Sequence, residues 1–147
     1  MKRLLAALAA TFVLPAALAQ TTPAGLWKTI DDSTHAEKSL VRIAEADGVF
    51  TGRIEKFLDP KAKPDEACDK CTDERKGKPI LGMTIITGIK KNADTEGLWD
   101  GGTILDPLNG KTYKLRLKPV EEGKKLEVRG YIGMPWIGRT QTWVRTE

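Results

Sequence analysis

The sequence predicts an all-β fold, a small antiparallel domain of about eight strands behind an N-terminal export signal. Two observations carry the fold class. Apolar residues recur mostly with a period of two, and turn residues separate these runs at short intervals. No long segment shows the 3.6-residue period of an amphipathic helix.

The export signal comes first. Lys2 and Arg3 precede an apolar run over residues 4–14 that only Thr11 interrupts, and Ala17-Leu18-Ala19 follows. Positive charge, a short apolar stretch and an A-x-A site are the three parts of a signal peptide. The stretch is shorter than the roughly 20 apolar residues that span a bilayer. A buried N-terminal helix is the alternative, but Gln20-Thr21-Thr22-Pro23 directly after the tripeptide is polar and poor in helix formers. No cysteine follows the run to accept a lipid anchor. Cleavage near Ala19 separates a signal peptide of residues 1–19 from a domain of residues 20–147, and in a Gram-negative cell the product is expected in the periplasm. The 128 remaining residues suit a single core. Without Lys2 and Arg3 the basic count falls from 24 to 22 against 20 acidic residues, a formal charge of +2. Basic and acidic residues are interspersed, as in Glu121-Glu122-Gly123-Lys124-Lys125, so no clustered nucleic-acid footprint is present.

Strands are expected at residues 25–30, 40–46, 49–57, 83–90, 96–105 and 138–145. The clearest pair lies between the last two. Tyr113, Leu115 and Leu117 alternate with Lys114, Arg116 and Lys118, because successive side chains of a strand point to opposite faces. After Glu122-Gly123, the residues Leu126, Val128, Gly130 and Ile132 repeat the pattern, which predicts a hairpin. Asp47-Gly48 is a second hairpin signal, since both residues tolerate the positive φ of a type I′ turn. Asn109-Gly110 is a third. Eight sequential antiparallel strands fold as a sandwich or close into a barrel, and closure removes the exposed edges that invite aggregation. A barrel of this size is filled by side chains or holds one small ligand.

Residues 59–79 break the rhythm. They hold three prolines, both cysteines and many charges, and are expected to form a surface excursion with one helical turn near residues 65–71. Cys68-x-x-Cys71 admits three readings. In an oxidising compartment the pair is most simply a disulfide, pinning the excursion only locally. A redox centre would require the motif at a helix N-terminus in a βαβ setting, and the acidic flanks Asp65, Glu66 and Asp69 disfavour a thiolate. A zinc site would need further ligands from His35, Asp65, Asp69 or Asp73.

Several blocks in order resemble the DUF2147 family of exported bacterial proteins. They are Gly25-Leu26-Trp27-Lys28-Thr29, Pro79-Ile80-Leu81-Gly82-Met83, Trp99-Asp100-Gly101-Gly102 with Asp106-Pro107 and Gly110-Lys111-Thr112-Tyr113, and two blocks at residues 126–133 and 138–145. The resemblance implies a lipocalin-like fold and supplies no catalytic residue and no cofactor. Gly25-x-Trp27 also resembles the opening motif of lipocalins, in which the tryptophan closes one barrel end beneath a basic residue of the last strand. Arg139 and Arg145 are the candidates for that plug over Trp27, where a guanidinium gains cation–π attraction.

Few residues carry chemistry. His35, the only histidine, follows Asp31, Asp32, Ser33 and Thr34, but adjacent residues of a polar loop do not by themselves form an oriented nucleophile and base. Trp99-Asp100-Gly101-Gly102 reads as a strand bulge, with Asp100 able to bond a ligand polar group. Tyr131, Met134, Pro135 and Trp136 precede the last strand at an expected barrel rim. The chain is therefore expected to be non-enzymatic and to bind a small hydrophobic or amphipathic ligand, with Trp99, Asp100, Tyr131 and Trp136 as candidate contacts. A protein-interaction or envelope-maintenance module is the second reading, and a redox or metal-binding factor using Cys68 and Cys71 the third.

Overall fold

The computed structural model describes residues 21–147, so the expected signal peptide and its cleavage site lie outside the described residues. Eight antiparallel strands form a closed barrel in which each pairs with the next and the last pairs with the first. They are β1 (Gly25–Ile30), β2 (Glu37–Ala46), β3 (Val49–Phe57), β4 (Thr84–Lys91), β5 (Trp99–Asp106), β6 (Lys111–Val120), β7 (Lys125–Tyr131) and β8 (Gly138–Arg145). Asp47 and Gly48 turn between β2 and β3 at φ of 51° and 79°, the left-handed conformation expected of that dipeptide.

Alternation decides what faces inward. Trp27, Val41, Ile43, Phe50, Ile54, Ile86, Ile89, Trp99, Leu115, Leu117, Leu126, Val128 and Trp143 are buried and form one apolar cluster. Several strand ends differ from expectation, β2 starting at Glu37 and β4 running over Thr84–Lys91, and two of the differences have a visible cause. β5 starts at Trp99, because Asn92 Oδ1 accepts from the backbone N–H groups of Asp94 and Thr95 and holds the chain in a turn. β7 stops at Tyr131, so Ile132 does not continue the inward series and is 63% exposed.

The excursion departs most. Residues 58–83 form no helical turn near residues 65–71. Instead Ala67 and Pro79 bridge in antiparallel fashion, with Cys68 N–H donating to Lys78 O at 2.8 Å and Ile80 N–H to Glu66 O at 2.9 Å. Cys68 and Cys71 are joined by a disulfide and are fully buried. They belong to the same apolar cluster as Ile80, Met83, Ile85 and Leu105. Ile86 pairs with Ile104 on the inward face, so Ile85 and Leu105, one residue away on each strand, point outward. Both are nevertheless buried. The excursion is thus a flap that covers the outer wall of β4 and β5 and extends the apolar cluster there, and the disulfide sits inside that cluster rather than on the surface.

Candidate functional site

The two barrel ends differ, and the difference defines the candidate site. At one end Trp27 is completely buried, its indole N–H donating to Pro23 O at 2.8 Å. The Arg145 guanidinium lies 4.2 Å from the ring centroid. Its N–H groups donate to the carbonyls of Gly123 at 2.6 Å, Ala24 at 2.7 Å and Thr22 at 3.0 Å. Burial pulls the Arg145 pKa below the usual guanidinium value, and the carbonyl dipoles offset that cost. Gly25 is required here, because a Cβ at its φ of 144° would collide with the Arg145 guanidinium. Arg145 therefore occupies the position over Trp27.

Arg139 lies at the other end. Its Nε donates to Asp32 Oδ2 at 3.0 Å and its Nη2 to Ser33 Oγ at 3.1 Å. It does not contribute to the plug, because β8 runs the length of the barrel and carries residues 139 and 145 to opposite ends. From Arg139 a polar chain runs inward. Gln141 Nε2 reaches Asp32 Oδ1 at 3.5 Å, and Gln141 Oε1 accepts from the indole N–H of the buried Trp143 at 3.0 Å. On the adjacent strands β1 and β2, Thr29 and Ser39 hydroxyls bond each other at 3.0 Å. The Arg139 guanidinium holds the Asp32 carboxyl below the usual carboxylate range.

Register places more inward positions at this end. Tyr113 pairs with Ile104, Leu115 with Gly130, and Gly130 with Arg139. Ile104, Tyr113, Gly130 and Gln141 are only half-buried, whereas Trp27, Val41, Ile43, Leu117, Leu126 and Trp143 toward the other end are buried. The interior is therefore filled around Trp27, Trp99 and Trp143, and half-buried inward positions gather toward Arg139 and Asp32. The rim is apolar: Leu108, Ile132, Met134, Trp136 and Ile137 are all more than half exposed.

The expected ligand contacts do not converge. Trp99 lies in the filled part, edge-on to Phe50 at 6.3 Å between centroids. Asp100 accepts from Asn92 Nδ2 at 2.9 Å and so supports the β4–β5 connection. Tyr131 pairs with Lys114 and lies on the outer wall, with the Arg116 guanidinium 5.9 Å from its ring. Only Trp136 stands at the rim. In the Trp99-Asp100-Gly101-Gly102 block the glycines serve closure. Gly101 takes a φ of 81° in a bulge, and a Cβ on Gly102 would collide with the Thr87 carbonyl of β4.

The polar loop is spent on its own turn. Asp31 Oδ1 accepts from Ser33 N–H, Thr34 N–H and Thr34 Oγ1, and those bonds lower its pKa. His35 is exposed, and its side chain makes no hydrogen bond among the described residues. Asp73, weighed above as a metal ligand, is held by Arg75 at 2.6 Å. Arg139 was expected in the plug, Tyr113 was expected only as a strand residue and Gln141 was not singled out, and a strand whose inward series turns from Trp143 to Gln141 and Arg139 is the signal that marks this end.

No curated protein matches the chain. Among solved structures the barrel is similar to protein HP1028 from the human pathogen Helicobacter pylori, described as belonging to the lipocalin family. The TM-score is 0.71 at 20% identity, covering 84% of this chain and 82% of that one, which is a likeness of fold. A family described as uncharacterized protein conserved in bacteria matches residues 25–145, in the order of the blocks that form the barrel. The chain belongs to that family, DUF2147.

Proposed function

We propose that the protein is a non-catalytic binding barrel, exported to the periplasm with residues 1–19 removed, that takes a small amphipathic ligand at its open end. The observation that carries this reading is the asymmetry of the ends. One end is sealed by Trp27 and Arg145, while the other leaves Ile104, Tyr113, Gly130 and Gln141 half-exposed beside the Arg139–Asp32 pair. Apolar walls with a few polar groups at the entrance are the usual makeup of a small-molecule site. Because the tryptophans fill the deep interior, the ligand sits at the mouth, its polar group toward Arg139 and Gln141 and its apolar part against Ile104 and Tyr113.

The test combines two measurements. Native mass spectrometry of protein purified from its own periplasm is expected to show a retained small molecule that denaturation releases. The fluorescent amphiphile 1-anilinonaphthalene-8-sulfonate is expected to bind the emptied barrel. Gly130→Leu, which places a side chain in the mouth where a Cβ meets Tyr113 at an ordinary 3.5 Å, should abolish that binding, and Arg139→Gln should weaken it several-fold. No retained molecule together with probe binding unaffected by Gly130→Leu would sink the reading.

A further inference from the structure

We propose that the outer face of β6 and β7, with the connection from β7 to β8, docks the barrel onto an anionic bilayer surface. Outward residues of the two strands pair as Lys114 with Tyr131 and Arg116 with Arg129. Like charges directly opposite each other on one sheet face oppose folding unless an anion offsets them. Among the described residues, none of Lys114, Arg116 and Arg129 pairs with a carboxylate. The Arg116 Nε is buried without any hydrogen-bond partner. On the opposite wall, by contrast, Arg42 is shared between Glu55 and Glu147.

The second observation adjoins the first. The connection that leaves Tyr131 exposes Ile132 by 63%, Met134 by 52%, Trp136 by 73% and Ile137 by 63%, and Leu108 on the neighbouring β5–β6 turn is 63% exposed. This projection is held in shape. Arg129 Nε donates to Pro135 O at 2.6 Å, its Nη1 donates to Thr140 Oγ1 at 2.8 Å, and Ile137 N–H donates to Met134 O at 3.0 Å.

The order of these groups selects the partner. Apolar side chains form the tip, and the cations follow on the wall one and three residues behind it, or about 3 and 10 Å at the rise of a strand. Hydrocarbon lies beneath a layer of anionic head groups in the same order, and interfacial elements insert to a depth of about 5–10 Å. Tryptophan favours that boundary. An acidic protein would satisfy the cations without needing an apolar tip in front of them. Docking in this way brings the open end toward the lipid surface. The inference rests on the outer wall and stands whether or not the mouth holds a ligand.

Trp136 supplies the readout. It is the exposed one of four tryptophans, the others being buried. The protein lacking residues 1–19 is mixed with vesicles of phosphatidylcholine alone or with about one third phosphatidylglycerol, and binding is followed by co-sedimentation and tryptophan emission. The expected result is at least tenfold tighter binding to the anionic vesicles, weakened by added salt, with a blue shift that Trp136→Phe removes. Lys114→Gln with Arg116→Gln should cost about tenfold, and Met134→Ser with Trp136→Ser should abolish binding, the melting temperature of each variant staying within a few degrees. Because the two variants act through different terms, loss of the fold in one leaves the other decisive. The proposal is overturned by equal binding to both vesicles, by binding that folded variants leave unchanged, or by binding to polyglutamate or glycerol phosphate without binding to vesicles.

Discussion

Gly110 lies so close to the Lys70 carbonyl that no side chain fits between them. That contact ties the turn after β5 to the middle of the excursion, and Cys68 Sγ reaches the Pro107 carbonyl 3.6 Å away at the same place. Gly110 also holds a φ of 73°. Gly110→Ala is therefore expected to cost more than about 1 kcal/mol, since alanine is strained at positive φ and displaces the flap as well. A shifted denaturation midpoint with faster proteolysis within residues 58–83 would show this. An unchanged cleavage rate would mean that the flap does not depend on the turn.

Replacing both cysteines by serine removes a short loop constraint, about 2 kcal/mol by chain entropy. It also leaves hydroxyls in an apolar cluster. The barrel should persist, because its ladders do not pass through the excursion, while Ile85 and Leu105 lose their cover. Hydrogen exchange should accelerate in residues 58–83 and at the outer face of β4 and β5, with the Trp27 region unaffected. Uniform acceleration throughout the barrel would contradict a flap that is separately stabilised.

Trp27→Ala should cost about 3–5 kcal/mol, as truncation of a buried aromatic does. Arg145→Lys should not restore what Arg145→Met loses, because an ammonium is not a planar fork that covers an indole while reaching three carbonyls. A double-mutant cycle on the two positions is expected to give a coupling of about 0.5–2 kcal/mol. If Trp27→Ala left the melting temperature unchanged while abolishing probe binding, the tryptophan would be a ligand contact instead of a seal.

The Arg139 contact lowers the Asp32 pKa, and hydrogen bonds from Thr34 and Ser33 lower that of Asp31. A carboxylate with a lower pKa in the folded state binds fewer protons there than in the unfolded chain. Its contribution is thus present above the unfolded value of about 3.9 and disappears as pH falls through the folded value. The β1–β2 connection should stay in place down to about pH 4 and loosen below it, and Asp32→Asn should shrink that acid step. Carboxyl NMR titration checks the sign, and an Asp32 value at or above about 3.9 would contradict it.

The barrel was readable because each strand buries one face, so alternation in Tyr113, Leu115 and Leu117 or in Leu126 and Val128 carries through to the structure. The flap was not readable from residues 59–79, where Cys68 and Cys71 stand among charges without a period. Its trace lies elsewhere, in the consecutive apolar pairs Ile85-Ile86 and Ile104-Leu105. A strand apolar on both faces needs cover on both. The mouth was hidden for a different reason. Arg139 and Asp32 are 107 residues apart, and the register of β8 together with the turn built on Asp31 brings them together. No local pattern encodes that meeting, which is why Arg139 and Arg145 look equivalent until the strand is given a direction.

The seal joins the first strand to the last. Trp27 of β1 pairs with Arg145 of β8, Leu26 N–H donates to Glu147 O and Thr146 N–H to Leu26 O. A chain made from its N-terminus therefore carries a first strand paired on one edge only, and a Trp27 without its guanidinium cover, until β8 is free. Nearly all of the domain must wait for its last few residues, and contacts of such long sequence separation form slowly. Loss of those residues by proteolysis would leave an open sheet with two sticky edges. The pairing of β1 with β8 is thus the latch that closes the barrel.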